Sequence, residues 1–423
     1  MRKCHSLDDE IGRQLEDYSR KCQSITVTIS LTNKRTSIEL RDEIDRIIKR
    51  IRDDKIPLPL CRFWLTHDQL MAAYQNLRRQ EPSLSQRSHV ELKGHPDQMW
   101  MPTLFRGKGV QLICQKGDWH NVDILVDYFT EYERVRCRKD YNKALTADWL
   151  DDVILKRAIT AAINEVGTSE IIVDQQLLRQ GMFLVCRELA LFRVTRAKHL
   201  TNLILNNQAS GKRWLDISAG WGDRLLAACS MEMDYLGFDP NERLRFGHKA
   251  MIKMFGTGRQ KVVYQPFESD ESAELISRDV AARGLFDICL VSPPFYIIER
   301  YEGAEQSTAN YPEFNNWMVN FLFQSIWVAW TNLKFDDGYL AINIGNIRGC
   351  NIVESMLLFI LTYCEGSSWE GMITFSGLGT HDVPAIVYVW NKIQKRPRIS
   401  PPAYDKSLDP VLDRMWRSKI NSG

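Results

Sequence analysis

RWLDISAGWGDRLLAACSM (residues 213–231) passes from an apolar run through a glycine-punctuated turn into a helical pattern. RWLDIS reads as a strand, and DRLLAACSM as a helix opening at Asp223. Asp216, Ser218, Gly220 and Gly222 lie around the turn. Glycines after a strand and before a helix let a ligand approach the backbone N–H groups at the helix N-terminus. A tight strand-to-helix turn also favours glycine, so two further details matter. Leu225 stands where a dinucleotide fingerprint would carry its third glycine. An acidic residue at the strand end suits a cationic group, such as an amine, better than a pyrophosphate.

Outward from this segment the same alternation repeats. DYLGFD (234–239) is a strand followed by the helical ERLRFGHKAMIKMF, and KVVYQP (261–266) a strand followed by ESAELISRDVAAR. FDICLVS is the next strand, then the helical FNNWMVNFLFQSIWVAWTNL, the strand GYLAINIG (338–345) and the helix VESMLLFILTYC. EGMITFSG and AIVYVWNK close the series with no room for a helix between them, so they should pair antiparallel. Near-continuous apolar strands alternating with helices define an α/β fold, a doubly wound, mostly parallel sheet covered on both faces.

The N-terminal part differs. IELRDEIDRIIKRIRDD places Leu40, Ile44, Ile47, Ile48 and Ile51 on one helical face, and LTHDQLMAAYQNLRRQ forms a second helix with Thr66 or Asp68 near its start. A strand is expected at about 109–114, and helical material from 146 to 206. The organisation read here is an α-rich accessory region over 1–150 with a possible substrate-recognition role, a helical connector over 151–190, the α/β domain over 191–395 and a tail over 396–423.

Composition narrows the class. The chain has 423 residues, 44% hydrophobic and 26% charged, an ordinary globular mix. A net charge of +2 means that any basic surface must be local. Ten cysteines without a C-x-x-C pair argue against a disulfide scaffold or zinc knuckle and fit a reducing compartment, cytoplasmic or nuclear. Cys4 and Cys22 sit in a polar stretch and read as incidental. Eight histidines without i, i+4 pairing give no metal site. No signal peptide is evident, and the longest apolar runs are too short to span a bilayer, so no membrane association is expected.

The remaining motifs fall at strand ends. Asp239 in GFDPN lies 17 residues after Gly222, where an acidic side chain can accept both hydroxyls of a ribose; the alternative is that Asp239 or Asn241 caps a helix. Phe267 in YQPFES can lie against a flat ring, with Glu268 near its edge, or serve as core. FDICLVSPPF runs a strand into Ser292, Pro293, Pro294 and Phe295. Two prolines fix φ twice and remove two N–H donors. Ser292 and the Pro293 carbonyl can then accept hydrogen bonds from an exocyclic amine, while Phe295 stacks on the ring that bears it. Accepting those bonds turns a planar –NH2 towards a pyramidal nitrogen whose lone pair can attack a sulfonium methyl. No strong base is required, and in-line positioning supplies much of the acceleration.

In order and spacing, DISAGWGD, GFDPN and SPPF resemble the successive motifs of class I S-adenosylmethionine-dependent amino-methyltransferases, over about residues 190–392. The resemblance implies a Rossmann-like domain, S-adenosylmethionine as cofactor and a nucleic-acid partner. It implies transfer to adenine N6, cytosine N4 or guanine N2 in DNA or RNA, with adenine N6 slightly favoured by the linear motif order. It assigns Asp216, Gly220 and Gly222 to the methionine moiety, Asp239 to the ribose, and Ser292 to Phe295 to the target amine. Ser at the first tetrad position is more usual in cytosine enzymes, and Phe at the last is frequent in adenine enzymes. FRVTRAKHL (192–200) stands where the family has a helix touching the cofactor carboxylate, through Arg193, Arg196 or Lys198, with Thr195 as cap.

The loop YIIERYEGAEQSTANYPEFNNW (296–317) carries Tyr296, Tyr301 and Tyr311 and has the length of an active-site cover. Tyr296, Tyr301, Phe375 and His381 are the candidates for contacting the base. RVRCRKDYNK (134–143) holds five basic residues, compatible with phosphate contacts or with a solvated face. Two other readings remain at this stage: methylation of a protein glutamine or small-molecule amide, and a non-catalytic nucleic-acid scaffold.

Overall fold

The structure is a computed structural model that describes residues 2–30, 37–81, 84–86, 106, 110–113, 122–139, 142–166, 170–301, 305–347, 350–376 and 386–393. His381 lies outside the described residues. Nine strands form the main sheet: β1 (Leu84–Gln86), β2 (Val110–Ile113), β3 (Arg213–Asp216), β4 (Asp234–Phe238), β5 (Gln260–Val263), β6 (Ile288–Val291), β7 (Gly338–Asn343), β8 (Ser367–Ser376) and β9 (Ile386–Lys392). Their spatial order is β1-β2-β8-β9-β7-β6-β3-β4-β5. Strands β3 to β7 pair in parallel, and β9 inserts antiparallel between β7 and β8. The seven strands from β8 to β5 have the class I methyltransferase topology, Rossmann-like with an antiparallel last strand.

Strand residues alternate between two cores. Leu215, Leu236, Phe238, Cys289, Val291, Leu340 and Ile342 enter one cluster, with the helices Asp270–Arg283 and Ile352–Tyr363. Trp214, Tyr235, Ile288, Leu290 and Ala341 enter the other, with the helices Val194–Ile204, Asp223–Ser230 and Arg245–Phe255. Period-2 alternation in strands apolar at every position therefore buries both faces.

The N-terminal region joins this sheet as well as building its own core. The strand expected near 109–114 is β2, which pairs parallel with β8 and antiparallel with β1, extending the sheet beyond seven strands. Val27–Ser30 pairs antiparallel with Glu170–Val173, inside a stretch read as helical from sequence. Around it Ile11, Leu15, Ile44, Ile47, Ile48 and Ile51 pack with Leu155, Ile159 and Leu178. Cys22 is fully buried in this cluster, so its place in a polar-looking stretch concealed a packing role. The expected helix at LTHDQLMAAYQNLRRQ is His67–Arg79, opened by a capping box between Thr66 and Gln69. No helix among the described residues is long and apolar enough to cross a membrane.

The chain runs β3, β4, β5 to one edge and then returns to β6 beside β3. That reversal opens a crevice outside the carboxyl ends of β3 and β6, the position at which doubly wound sheets bind ligands.

Candidate active site

A cavity of about 650 Å³ occupies this crevice. Its wall includes Ser218 and Gly220 after β3, Asp239 and Asn241 after β4, Phe267 after β5, Ser292, Pro294 and Phe295 after β6, and Asn343 to Asn346 at the end of β7. The motifs read separately from sequence thus meet at one rim. Ser218 Oγ donates to the Ser292 carbonyl at 3.1 Å, joining the glycine loop directly to the Ser-Pro-Pro-Phe segment.

Backbone geometry explains the glycines differently at the two positions. Gly220 has φ +56°, and a Cβ there would meet Ser218 O at 3.7 Å and Arg224 Nη2 at 3.9 Å, ordinary contact distances, so the positive φ and not crowding favours glycine. Its N–H donates to Asp239 Oδ2 at 2.8 Å, and its carbonyl lies 3.0 Å from His248 Nε2. Burial lowers His248 to about 4, so the ring is neutral and Nε2–H can donate to that carbonyl. Gly222 has φ +99° and caps the helix Asp223–Ser230; a Cβ there would come within 2.8 Å of Met251 Cε. Gly222 thus serves helix packing and does not line the cavity.

Two acids that look alike in sequence do different work. Asp239 Oδ2 and Oδ1 accept the N–H groups of Gly220 and Asn241 at 2.8 and 3.0 Å. A carboxylate has about four acceptor sites, so two remain for a ligand. Burial pushes Asp239 up to about 6, opposed by those two backbone donors. Asp216 is fully buried, and its Oδ2 accepts from Arg224 Nε and the Tyr235 hydroxyl at 2.7 Å each. It is absent from the cavity wall, which corrects the expectation of a direct ligand contact. Asp223 is the acid that reaches the cavity instead, raised to about 6 chiefly by burial.

The helix Val194–Ile204 separates its basic residues. Arg196 lines the cavity with its guanidinium 4.9 Å from the Phe375 ring centroid. Lys198 Nζ turns away to the carbonyls of Leu77, Arg78 and Gln80, and Thr195 bonds Asp123. Arg193 precedes the helix at φ +71° and gives its N–H to Asp223 at 3.0 Å. Phe375, expected near a base, is on the cavity wall.

Tyr296 departs from expectation. Its ring is buried against Phe314 and Trp317, its hydroxyl bonds the Pro312 carbonyl, and it does not line the cavity. It fastens the loop that follows the tetrad. Tyr301 does line the cavity, its ring 5.6 Å from Trp221 and its hydroxyl on Glu299. Phe267 takes the core alternative, packing edge-on against Phe238 at 5.1 Å, and it also touches the cavity. Pro293 sits within the tetrad but is not part of the wall.

Several supports had no sequence signal of their own. Asn343 Nδ2 donates to the Ile386 carbonyl at 2.9 Å, which turns Oδ1 towards Ser292 Oγ at 3.2 Å. Glu133 is fully buried and holds Asn241 Nδ2 at 3.1 Å and Arg243 Nε at 2.7 Å. Thr130 Oγ1 donates to the Trp221 carbonyl at 2.9 Å. The helix Ile124–Arg134 carries both residues, more than 80 positions upstream of the loops they brace. Only the AINIGN string at a fifth strand end offered a hint of Asn343.

No protein-family model matches the chain, and no curated protein matches it. Solved structures with similar folds include an rRNA methylase from Streptococcus thermophilus, 12% identical over 48% of this chain and 100% of that one, with a TM-score of 0.33. Precorrin-6y C5,15-methyltransferase from Geobacter metallireducens is 11% identical over 47% of this chain and 88% of its own, TM-score 0.30. TrmN from Thermus thermophilus is 16% identical over 50% of this chain and 55% of its own, TM-score 0.31. These scores are low; the fold rests on strand order, and the chemistry on the chain's own residues.

Proposed function

We propose that this chain is an S-adenosylmethionine-dependent methyltransferase acting on an exocyclic amino group of a base in DNA or RNA, adenine N6 ahead of cytosine N4. The observation that carries the reading is the Ser218–Ser292 hydrogen bond, which sets the cofactor-type loop and the amine-type tetrad on one cavity. The cavity volume falls within the ~300–1,000 Å³ of small-molecule sites. The spare acceptor sites of Asp239 fit a ribose, Phe267 an adenine face, and Asp223 with the Gly220 loop the methionine end. S-adenosylmethionine, when bound, supplies an electrophilic methyl group on a sulfonium.

The chain's own residues prepare the acceptor. Because Asn343 Oδ1 faces Ser292 Oγ, the serine hydroxyl is spent as a donor and its lone pairs stay open to an incoming N–H. The Ser292 carbonyl is half used by Ser218. Phe295 is the stacking face in this reading, while the Pro293 carbonyl would have to turn into the cavity to serve as a second acceptor.

Incubating the purified protein with labelled S-adenosylmethionine and separate DNA, RNA and protein pools, then analysing nucleosides by mass spectrometry, tests the reading. A methylated amino base is expected. Ser292→Ala should lower kcat about 100-fold with cofactor affinity retained, the scale for losing one oriented transition-state contact. Label confined to protein, or full activity in Ser292→Ala, would overturn it.

A further inference from the structure

Beside the cavity, Arg138–Lys139 and Glu299–Arg300 form an antiparallel ladder, with Lys139 opposite Glu299 and Arg138 opposite Arg300. One strand comes from the basic run after the helix Ile124–Arg134, the other from the segment leaving Ser-Pro-Pro-Phe. Two signals that were separate in sequence are therefore one structure. Lys139 and Glu299 line the cavity, and Arg138 and Arg300 are exposed. Neighbouring residues of a strand point to opposite faces, so the arginine rung stands on the outer side of the cavity wall.

Like charges directly opposite one another on a ladder are destabilising. Among the described residues, neither Arg138 nor Arg300 has a carboxylate in ion-pair contact, whereas Arg134 in the same run is buried on Asp127 and Glu188. Arg136, two residues before the rung, is 45% exposed in its side chain and lies 3.9 Å from a Glu133 already shared by Asn241 and Arg243. A rung of two fork-shaped cations facing outward is a seat for an anion with oxygens on both sides, which a phosphodiester provides. The cavity can take a cofactor and one base but no duplex, so a strand whose base enters must pass its flanking backbone over this mouth.

We propose that the Arg138–Arg300 rung is a phosphodiester clamp for the single polynucleotide strand that delivers its base to the cavity. The inference rests on the nucleic-acid reading above. Arg300 lies on the same segment as the tetrad, so an anion on the rung removes the Arg–Arg repulsion and steadies the loop beside the target amine.

The test uses the full chain and the double variant Arg138→Gln/Arg300→Gln. Fluorescence anisotropy follows labelled single-stranded DNA and RNA oligonucleotides between about 50 and 200 mM salt, with a poly-glutamate peptide as the competing anionic partner. Loss of two phosphate contacts should weaken oligonucleotide binding about tenfold and flatten the log–log salt slope by about 1.4. Cofactor affinity of the double variant by calorimetry should remain within about twofold. The DNA and RNA arms show which backbone is gripped. A double variant with the parent's affinity and salt slope would overturn the clamp while leaving the nucleic-acid reading intact. A parent protein that binds neither oligonucleotide, or prefers poly-glutamate, would overturn both.

Discussion

At the scale of single residues, Asp216 and Asp239 separate structural from functional acidity. Asp216 neutralises buried Arg224 and accepts from Tyr235. Asp216→Ala should therefore cost about 3–5 kcal/mol in urea unfolding, because it strands a buried guanidinium. Asp239→Asn should instead fold and lose cofactor affinity, about 10- to 100-fold by calorimetry, since charge-assisted hydrogen bonds are worth about 1.5–3 kcal/mol. Asp239 also sets a pH signature. Its folded value of about 6 lies above the ordinary 3.8, so the folded protein holds the proton more tightly. Its contribution to stability therefore declines as pH rises from about 3.8 to 6 and stays unfavourable above. Cofactor binding has the opposite sign, because ribose hydroxyls donate to the ionised carboxylate. Affinity should climb about tenfold per pH unit up to about 6 and level off beyond. Asp223, also raised to about 6, adds to this limb, so Asp239→Asn should shallow the profile and leave the Asp223 share.

At the scale of elements, close approach of helices sets the loops. Gly247 on Arg245–Phe255 faces the helix Ile124–Arg134 so closely that a Cβ would lie 2.4 Å from the Phe129 carbonyl oxygen. Backbone cannot yield there as a side-chain tip can. Gly247→Ala should cost about 3 kcal/mol, the upper range of overpacking, and should also loosen the Thr130 and Glu133 braces and weaken cofactor binding. Gly222→Ala meets a flexible methionine end, so Met251→Ala should recover its packing share but not the cost of φ +99°. Neither helix contact was legible in the sequence. The helices themselves were, because Ile44, Ile47, Ile48 and Ile51, or Leu215, Leu236 and Val291 in the strands, follow local periodicities. Glu133 and Thr130 carry no period and no motif. Their roles arise only when a segment distant in sequence folds onto the glycine loop, as do those of Asn343 and the Arg138–Arg300 rung.

At the scale of the whole molecule, the cofactor-type half does not stand alone. The second core mixes Leu70, Tyr74, Leu125, Val126 and Phe129 from the N-terminal region with Trp214, Leu225 and Leu290. Arg179 ties Glu131 and Glu188 at 2.7–2.8 Å, and Arg134 takes Glu188 at 2.7 Å, so a buried ionic network fastens the helices ahead of Ala190–Phe192 at the cavity. The succession of strands along the chain, the antiparallel last pair and the strand-end motifs could be read from residues 213–392, since each is local to its turn, whereas the spatial order of the sheet could not. The sharing of one core by both regions could not, since apolar residues on the helix His67–Arg79 give no sign of which partner covers them. A fragment of residues 191–393 retains every motif yet exposes the face that Phe129, Tyr74 and Leu125 bury. It also lacks the Thr130 bond to Trp221 and the Glu133 bond to Asn241. That fragment should show no cooperative urea transition and no S-adenosylmethionine binding, while the full chain shows both. Cooperative unfolding of the fragment with cofactor affinity within about tenfold of the full chain would mean that the N-terminal braces add little, and that the motifs shape the pocket unaided.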